Sequence, residues 1–177
     1  TIEKKEDGTE IALPRFAKHM LCDTDGLFPL DFGSNWEKTV LTSELAQTDC
    51  VGWYRNPSRG SQDSLGVTYE DGEAIKIARP DFVFFAQLPD GGVAADIVDP
   101  HGIQFGDALP KLRGLARYAE THEGVYRRIE AVAEVGGVYR VLDLTQPSVR
   151  LAIQKAASAE ALYTSAAAAV YVASGST

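Results

Sequence analysis

Residues 79–102 read RPDFVFFAQLPDGGVAADIVDPHG. Positions 82–85 form an uninterrupted apolar run, and a run without polar alternation suits a strand covered on both faces. The LPDGG segment at 88–92 is a turn signal. VAADIV supplies a partner strand, and Pro100 ends it. The stretch therefore predicts a hairpin inside a sheet. Its ends are unusual for core strands. Asp81 opens the first strand, and Asp96 and Asp99 lie beside His101 at the end of the second. Either these acids hold a metal ion, or they are strand-end residues facing solvent.

Upstream, SNWEKTVLTSELAQ (34–47) predicts a helix. Ser34 or Asn35 can cap it, Glu37 can complete a capping box with Ser34, and Trp36, Val40, Leu41 and Leu45 recur at helical spacing. Glu37 and Glu44 are seven apart and share one helix face. A strand at 50–54 follows, stopped by Asn56-Pro57, and then two strands around an Asp-Gly turn at 71–72. Downstream, residues 106–122 predict a second helix, with Asp107 at its N-cap and Pro110 in its first turn. YRRIEAVAEVGGVYRVLDL reads as two strands joined by Gly-Gly, and the Ala-rich tail from Pro147 to about 172 as two helical segments. This order predicts an α/β domain with a mixed central sheet and helices on its faces, spanning 14–177, with residues 1–13 as a linker or frayed end.

Composition narrows the function. The chain has 177 residues and a net charge of −8, which argues against a general polyanion binder. The excess acid is concentrated in residues 1–50, with 5 basic and 10 acidic side chains, whereas residues 51–128 carry 9 and 11. A local basic surface near the candidate acids stays open. Two cysteines, Cys22 and Cys50, are too few for a disulfide framework and read as buried reduced thiols of a cytosolic protein. There is no run of 18 apolar residues and no signal-peptide core. The chain begins without Met and reads as a piece of, or a trimmed form of, a longer protein.

Asp81 and Asp96, in a hairpin joined at 88–92, are expected to lie opposite each other as hard oxygen ligands suited to Mg²⁺. Asp99 is an odd number of residues from Asp96, so alternation points it to the other face, and a direct metal role for it requires a bulge. Arg55 and Arg59 flank a turn in WYRNPSRG. Arg113 and Arg117 form an i,i+4 pair on the second helix. These four arginines are the candidate contacts to nucleic-acid phosphates.

Pro80-Asp81, Asp96 on the next strand and a following helix bearing Lys111 resemble the PD-(D/E)XK nuclease fold. More narrowly, NWEKTV, VGWYRNP, PDFVFF, DIVDPHG and DALPKLRGLARYA resemble the C-terminal domain attached to type III restriction-like DEAD/DEAH helicases, over about residues 14–170. The resemblance implies a restriction-endonuclease-like mixed sheet flanked by helices. It also implies a cytoplasmic deoxyribonuclease dependent on Mg²⁺ (or Mn²⁺), with a helicase/ATPase domain in the same longer chain, serving restriction-modification, defence or repair. By motif position, Asp81 is the first metal ligand, Asp96 the second acid, and Glu37 or Glu44 the helix-borne acid. The family places a lysine two residues after the second acid, where this chain has Val98. Three options stand: Lys111 supplies the ammonium, His101 serves as base or ligand, or the domain is a degenerate module that only grips DNA. A carboxylate metal site for a small molecule is a further, weaker reading.

Overall fold

The computed structural model describes residues 2–4 and 8–171. Its centre is a six-stranded sheet built by β5 (Cys50–Arg55), β8 (Phe82–Gln87), β9 (Val93–Pro100), β10 (Arg128–Val135), β11 (Val138–Asp143) and β12 (Ala169–Val170). The spatial order is β12-β11-β10-β9-β8-β5. Only the β9–β10 pair in it is parallel, and the crossover between them is α2 (Ala108–Thr121). A parallel neighbour needs such a connection, whereas antiparallel neighbours can be joined by tight turns. Gly136 and Gly137 make the β10–β11 turn, both at positive φ, between the paired Val135 and Val138.

Each face of the sheet carries its own core. On one, α1 (Asn35–Leu45) packs Val40 and Leu41 against Trp53, Phe82, Phe84, Val98 and Val132. On the other, α2, α3 (Pro147–Lys155) and α4 (Ala159–Thr164) cover Ile97, Ile129, Ala131, Ala133 and Leu142. β10 is covered on both sides, whereas in β8 only Phe82 and Phe84 enter a core and Val83 and Phe85 are half-buried, so the cover expected for the apolar run at 82–85 is complete on one face only. The fold is thus α/β with a mixed central sheet flanked by helices.

Among the described residues, three two-stranded sheets lie outside the central one. β1 (Ile2–Lys4) pairs with β2 (Glu10–Ala12), so part of the segment expected to be a linker forms a hairpin. β3 (Arg15–Ala17) pairs with β4 (Leu27–Pro29). β6 (Val67–Asp71) and β7 (Ala74–Ala78) form the expected Asp-Gly hairpin, which docks on α2 rather than joining the sheet. That docking requires Gly114. A Cβ there would stand 2.5 Å from Tyr69 Cβ and 3.0 Å from the Thr68 carbonyl oxygen. The expected tail beyond 171 lies outside the described residues. Both thiols are free, but Cys22 is exposed rather than buried, because it lies in the polar loop between β3 and β4.

Candidate functional site

The hairpin register decides which acids meet. Gln87 pairs with Val93 around the 88–92 turn, and counting back sets Phe82 against Val98. The next pair outward is Asp81 and Asp99. Asp96 falls opposite Phe84 instead, three residues further in. The expected Asp81–Asp96 pair is therefore not formed. Alternation places Asp99 on the face opposite Asp96, and the pair needs no bulge at Asp99 because Asp81 lies on its face too.

Asp96 is fully buried and serves another purpose. Arg127 reaches it through Nε and Nη2, at 3.0 and 2.5 Å, and Arg128 through Nε and Nη2, at 3.0 and 2.8 Å. Arg128 also binds Glu44 at 2.7 Å and Glu130 at 3.2 Å, while Tyr171 donates to Glu44 at 2.7 Å. Arg127 extends the network to Asp49. Asp96 and Arg128 are register partners on parallel strands, so this network ties β9, β10 and α1 together. Burial pushes the Glu130 carboxyl up to about 7. Glu44 is thus a structural counter-ion. Seven residues separate it from Glu37, roughly 10 Å along the helix, and that separation puts the two acids at different places.

Asp81 is held from several sides. Asn56, buried, donates to the Pro80 carbonyl at 2.7 Å, and its backbone amide donates to the Asp81 carbonyl at 2.9 Å. The Asp81 amide in turn donates to Asp99 Oδ1 at 3.0 Å. Arg55 Nη2 lies 3.0 Å from Asp81 Oδ1 and 2.8 Å from Glu37 Oε2, with its guanidinium over the Phe82 ring. Ser34 caps α1 by accepting from the Glu37 amide, as expected. The Glu37 carboxylate, however, takes the Ser34 hydroxyl and Arg55, which draws it toward Asp81. Arg55 Nη2 is held by these two acids, and its Nη1 is buried without a hydrogen-bond partner, so the side chain is not an exposed phosphate contact.

Asp81, Asp99, Glu37, His101 and Lys111 line one pocket of about 300 Å³ at this end of the sheet. Burial raises the Asp81 carboxyl pKa, and the neighbouring Asp99 charge raises it further, with Arg55 opposing. Burial also raises Asp99, opposed by the Asp81 amide and by Lys111. Burial, with the mutual repulsion of the two acids, is what raises them. His101 is lowered to about 4, chiefly by burial, so it is a neutral imidazole at ordinary pH. Its Nδ1 lies 3.3 Å from the Asp99 carbonyl oxygen and 3.7 Å from Asp99 Oδ2, and its Nε2 lies 3.2 Å from the Tyr163 hydroxyl. Lys111 is 3.1 Å from Asp107, whose carboxylate also accepts from Tyr69 instead of capping α2.

The remaining arginines proposed from sequence lie elsewhere. Arg113 donates to the Ala156 carbonyl, and Arg117 pairs with Glu70 on the surface. Arg59 is exposed and does not line the pocket. Arg79 and Ser58 do line it. Arg79 Nε is buried without a hydrogen-bond partner. Its position directly before Pro80-Asp81 was the available signal.

The YagJ family profile matches residues 17–172. The chain belongs to the YagJ family. Protein YagJ of Escherichia coli (strain K12) is 47% identical over 161 residues, which are 91% of this chain. The chain spans 65% of that relative's length. No solved structure matches. The YagJ name carries no chemistry, so function is read from the site itself. Among the described residues, no helix is long and apolar enough to cross a membrane. Nor do three or more Asp, Glu, His or Cys side chains there form a ready metal cage. Mg²⁺ does not require one, since it keeps several waters and binds through one or two carboxylates. The Asp81–Asp99 pair fits that mode: hard oxygen donors, partly desolvated and open to a pocket.

Proposed function

We propose that this YagJ-family domain is a metal-dependent deoxyribonuclease with a restriction-endonuclease-like site, in which Asp81 and Asp99 hold Mg²⁺ or Mn²⁺. One observation carries this reading. The acid across from Pro80-Asp81 is Asp99, so the position two residues on, where the resembled motif has lysine, is His101 and not Val98. When bound, the ion would supply a polarised phosphate oxygen and a water acidic enough to attack a phosphodiester. Arg55, behind the pocket, holds Asp81 and Glu37 in place. Lys111 and Arg79 form the cationic part of the wall and would receive the phosphate. A helicase or ATPase partner in a longer chain, which the resemblance implies, would feed the strand to this pocket.

A second reading has its own support. Arg55 already offsets charge on Asp81 and Glu37, and an imidazole replaces the motif ammonium. Both features suit a silent DNA-gripping module. Plasmid nicking with Mg²⁺ or Mn²⁺ separates the two. Nicking that is lost in both Asp81→Ala and Asp99→Ala, with Mn²⁺ heat by calorimetry lost in parallel, supports the nuclease. Salt-sensitive DNA binding without nicking supports the silent module. Absence of both sinks the DNA reading.

A further inference from the structure

His101 occupies the motif's lysine position, yet its environment is unlike that of a solvent-facing base. Its backbone amide donates to the Val132 carbonyl at 2.9 Å, which fixes the residue against β10. The ring then meets two different atoms. Nδ1 faces the Asp99 carbonyl oxygen at 3.3 Å, with Asp99 Oδ2 at 3.7 Å. A carbonyl oxygen only accepts, so the nitrogen facing it carries the hydrogen. Nε2 of a neutral ring is then bare, and the group 3.2 Å away is the Tyr163 hydroxyl, which donates to it. Tyr163, on α4, is fully buried in the core, and its ring packs edge-on against the imidazole.

We propose that Tyr163 and His101 form a fixed donor relay, from the Tyr163 O–H to Nε2 and from Nδ1–H to the Asp99 backbone carbonyl, that pins the strand end carrying the Asp99 carboxylate. Tyr163 is then a positioning residue, contributed by the last third of the chain. Both ring nitrogens are spent, so His101 does not take a proton from the attacking water. The relay acts on the metal-binding carboxylate through the backbone that carries it, since Oδ2 at 3.7 Å is beyond hydrogen-bond reach of Nδ1. It rests on the metal-dependent reading for its purpose, but not for its geometry.

Nitrogen-15 NMR of the histidine rings reads the tautomer, and Mn²⁺ calorimetry reads its effect. Wild-type His101 is expected in the Nδ1–H form. Tyr163→Phe is expected to keep the Nδ1–H form, held by the Asp99 carbonyl, to shift the Nε2 resonance as that nitrogen loses its donor, and to weaken Mn²⁺ binding about tenfold. His101→Asn places an amide N–H near the position of Nδ1 and is expected to bind Mn²⁺ close to wild type. His101→Gln reaches toward the Nε2 position instead and is expected to lose about tenfold or more. A wild-type Nε2–H form, or a Tyr163→Phe protein with an unchanged Nε2 resonance, overturns the relay. If wild type takes up no Mn²⁺, the metal reading falls, and the ring nitrogens alone decide the relay.

Discussion

The backbone amide of Asp81 donates to the carboxylate of Asp99 at 3.0 Å, across the open end of two antiparallel strands. That bond joins the residue opening β8 to one of the last on β9, and it holds two carboxylates together in a pocket they share with Lys111. Asp96, on the same strand as Asp99, is tied to Arg127 and Arg128 on the other face. The two acids of β9 should therefore respond in opposite ways to the same substitution.

Asp96→Ala leaves two arginines without their shared partner beside a buried surface. Breaking such a pair from one side costs on the order of 3 kcal/mol. Urea unfolding should show a loss of that size. Asp99→Asn removes a charge from a desolvated pair and should leave stability at pH 8 unchanged or higher, while removing Mn²⁺ binding. Equal destabilisation by both substitutions would contradict the assigned roles.

The dependence of stability on pH has a sign. An acid whose folded pKa lies above its unfolded one holds more protons when folded, so stability falls as pH rises between the two. Asp81 and Asp99 are both raised, Asp81 the further. Glu130, pushed up to about 7, adds the same slope at lower pH. His101, lowered to about 4, acts oppositely, but only below the ordinary histidine value of about 6.5. Melting temperature should fall between about pH 7 and pH 8.5. Asp81→Asn should flatten that slope, and added Mg²⁺ should offset it. A slope unchanged in Asp81→Asn would place its source elsewhere.

Gly114→Ala reverses a familiar expectation. In an open helix interior, alanine gains about 1 kcal/mol over glycine. Here the new methyl meets Tyr69 Cβ and the backbone of Thr68, neither of which can swing aside. A net loss of roughly 1–3 kcal/mol is expected in urea unfolding, from overpacking between α2 and the β6–β7 hairpin. A gain would mean that the hairpin rides loosely on the helix.

If DNA enters the pocket, its phosphates meet Arg79 and Lys111 rather than Arg113 and Arg117. Arg79→Ala should weaken DNA binding and reduce the salt slope by about one. Arg113→Ala and Arg117→Ala should leave both unchanged, since these side chains bind Ala156 and Glu70. Filter binding across a salt series distinguishes the two pairs, and the reverse order would move the DNA to the other end of α2.

Much of this architecture is legible in the residues. The 3.6 spacing in 34–47, the apolar run at 82–85 and the Gly-Gly turn each specify their element locally, and the structure forms all three. The acid pair was legible too, because a turn confined to 88–92 pairs 87 with 93 and so carries 81 to 99. Motif spacing points to Asp96 instead. What no local rule supplies is the tertiary choice among charges. Nothing near Asp96 in sequence shows that Arg127 and Arg128, 31 and 32 residues on, will cover it. Likewise Tyr163 lies 62 residues from His101 and reads as one more core aromatic of an Ala-rich tail.

The sheet keeps its two acidic tasks at separate places. The Asp96 network aligns β9 with β10 and α1 through Arg127 and Arg128, neither of which lines the pocket. Substitutions at residues 81, 99 or 101 can therefore accumulate in a lineage while the scaffold survives. Descendants that have lost the chemistry should fold as well as those that keep it, and the arginine pair at 127–128 should outlast the pocket's acids when such lineages are compared.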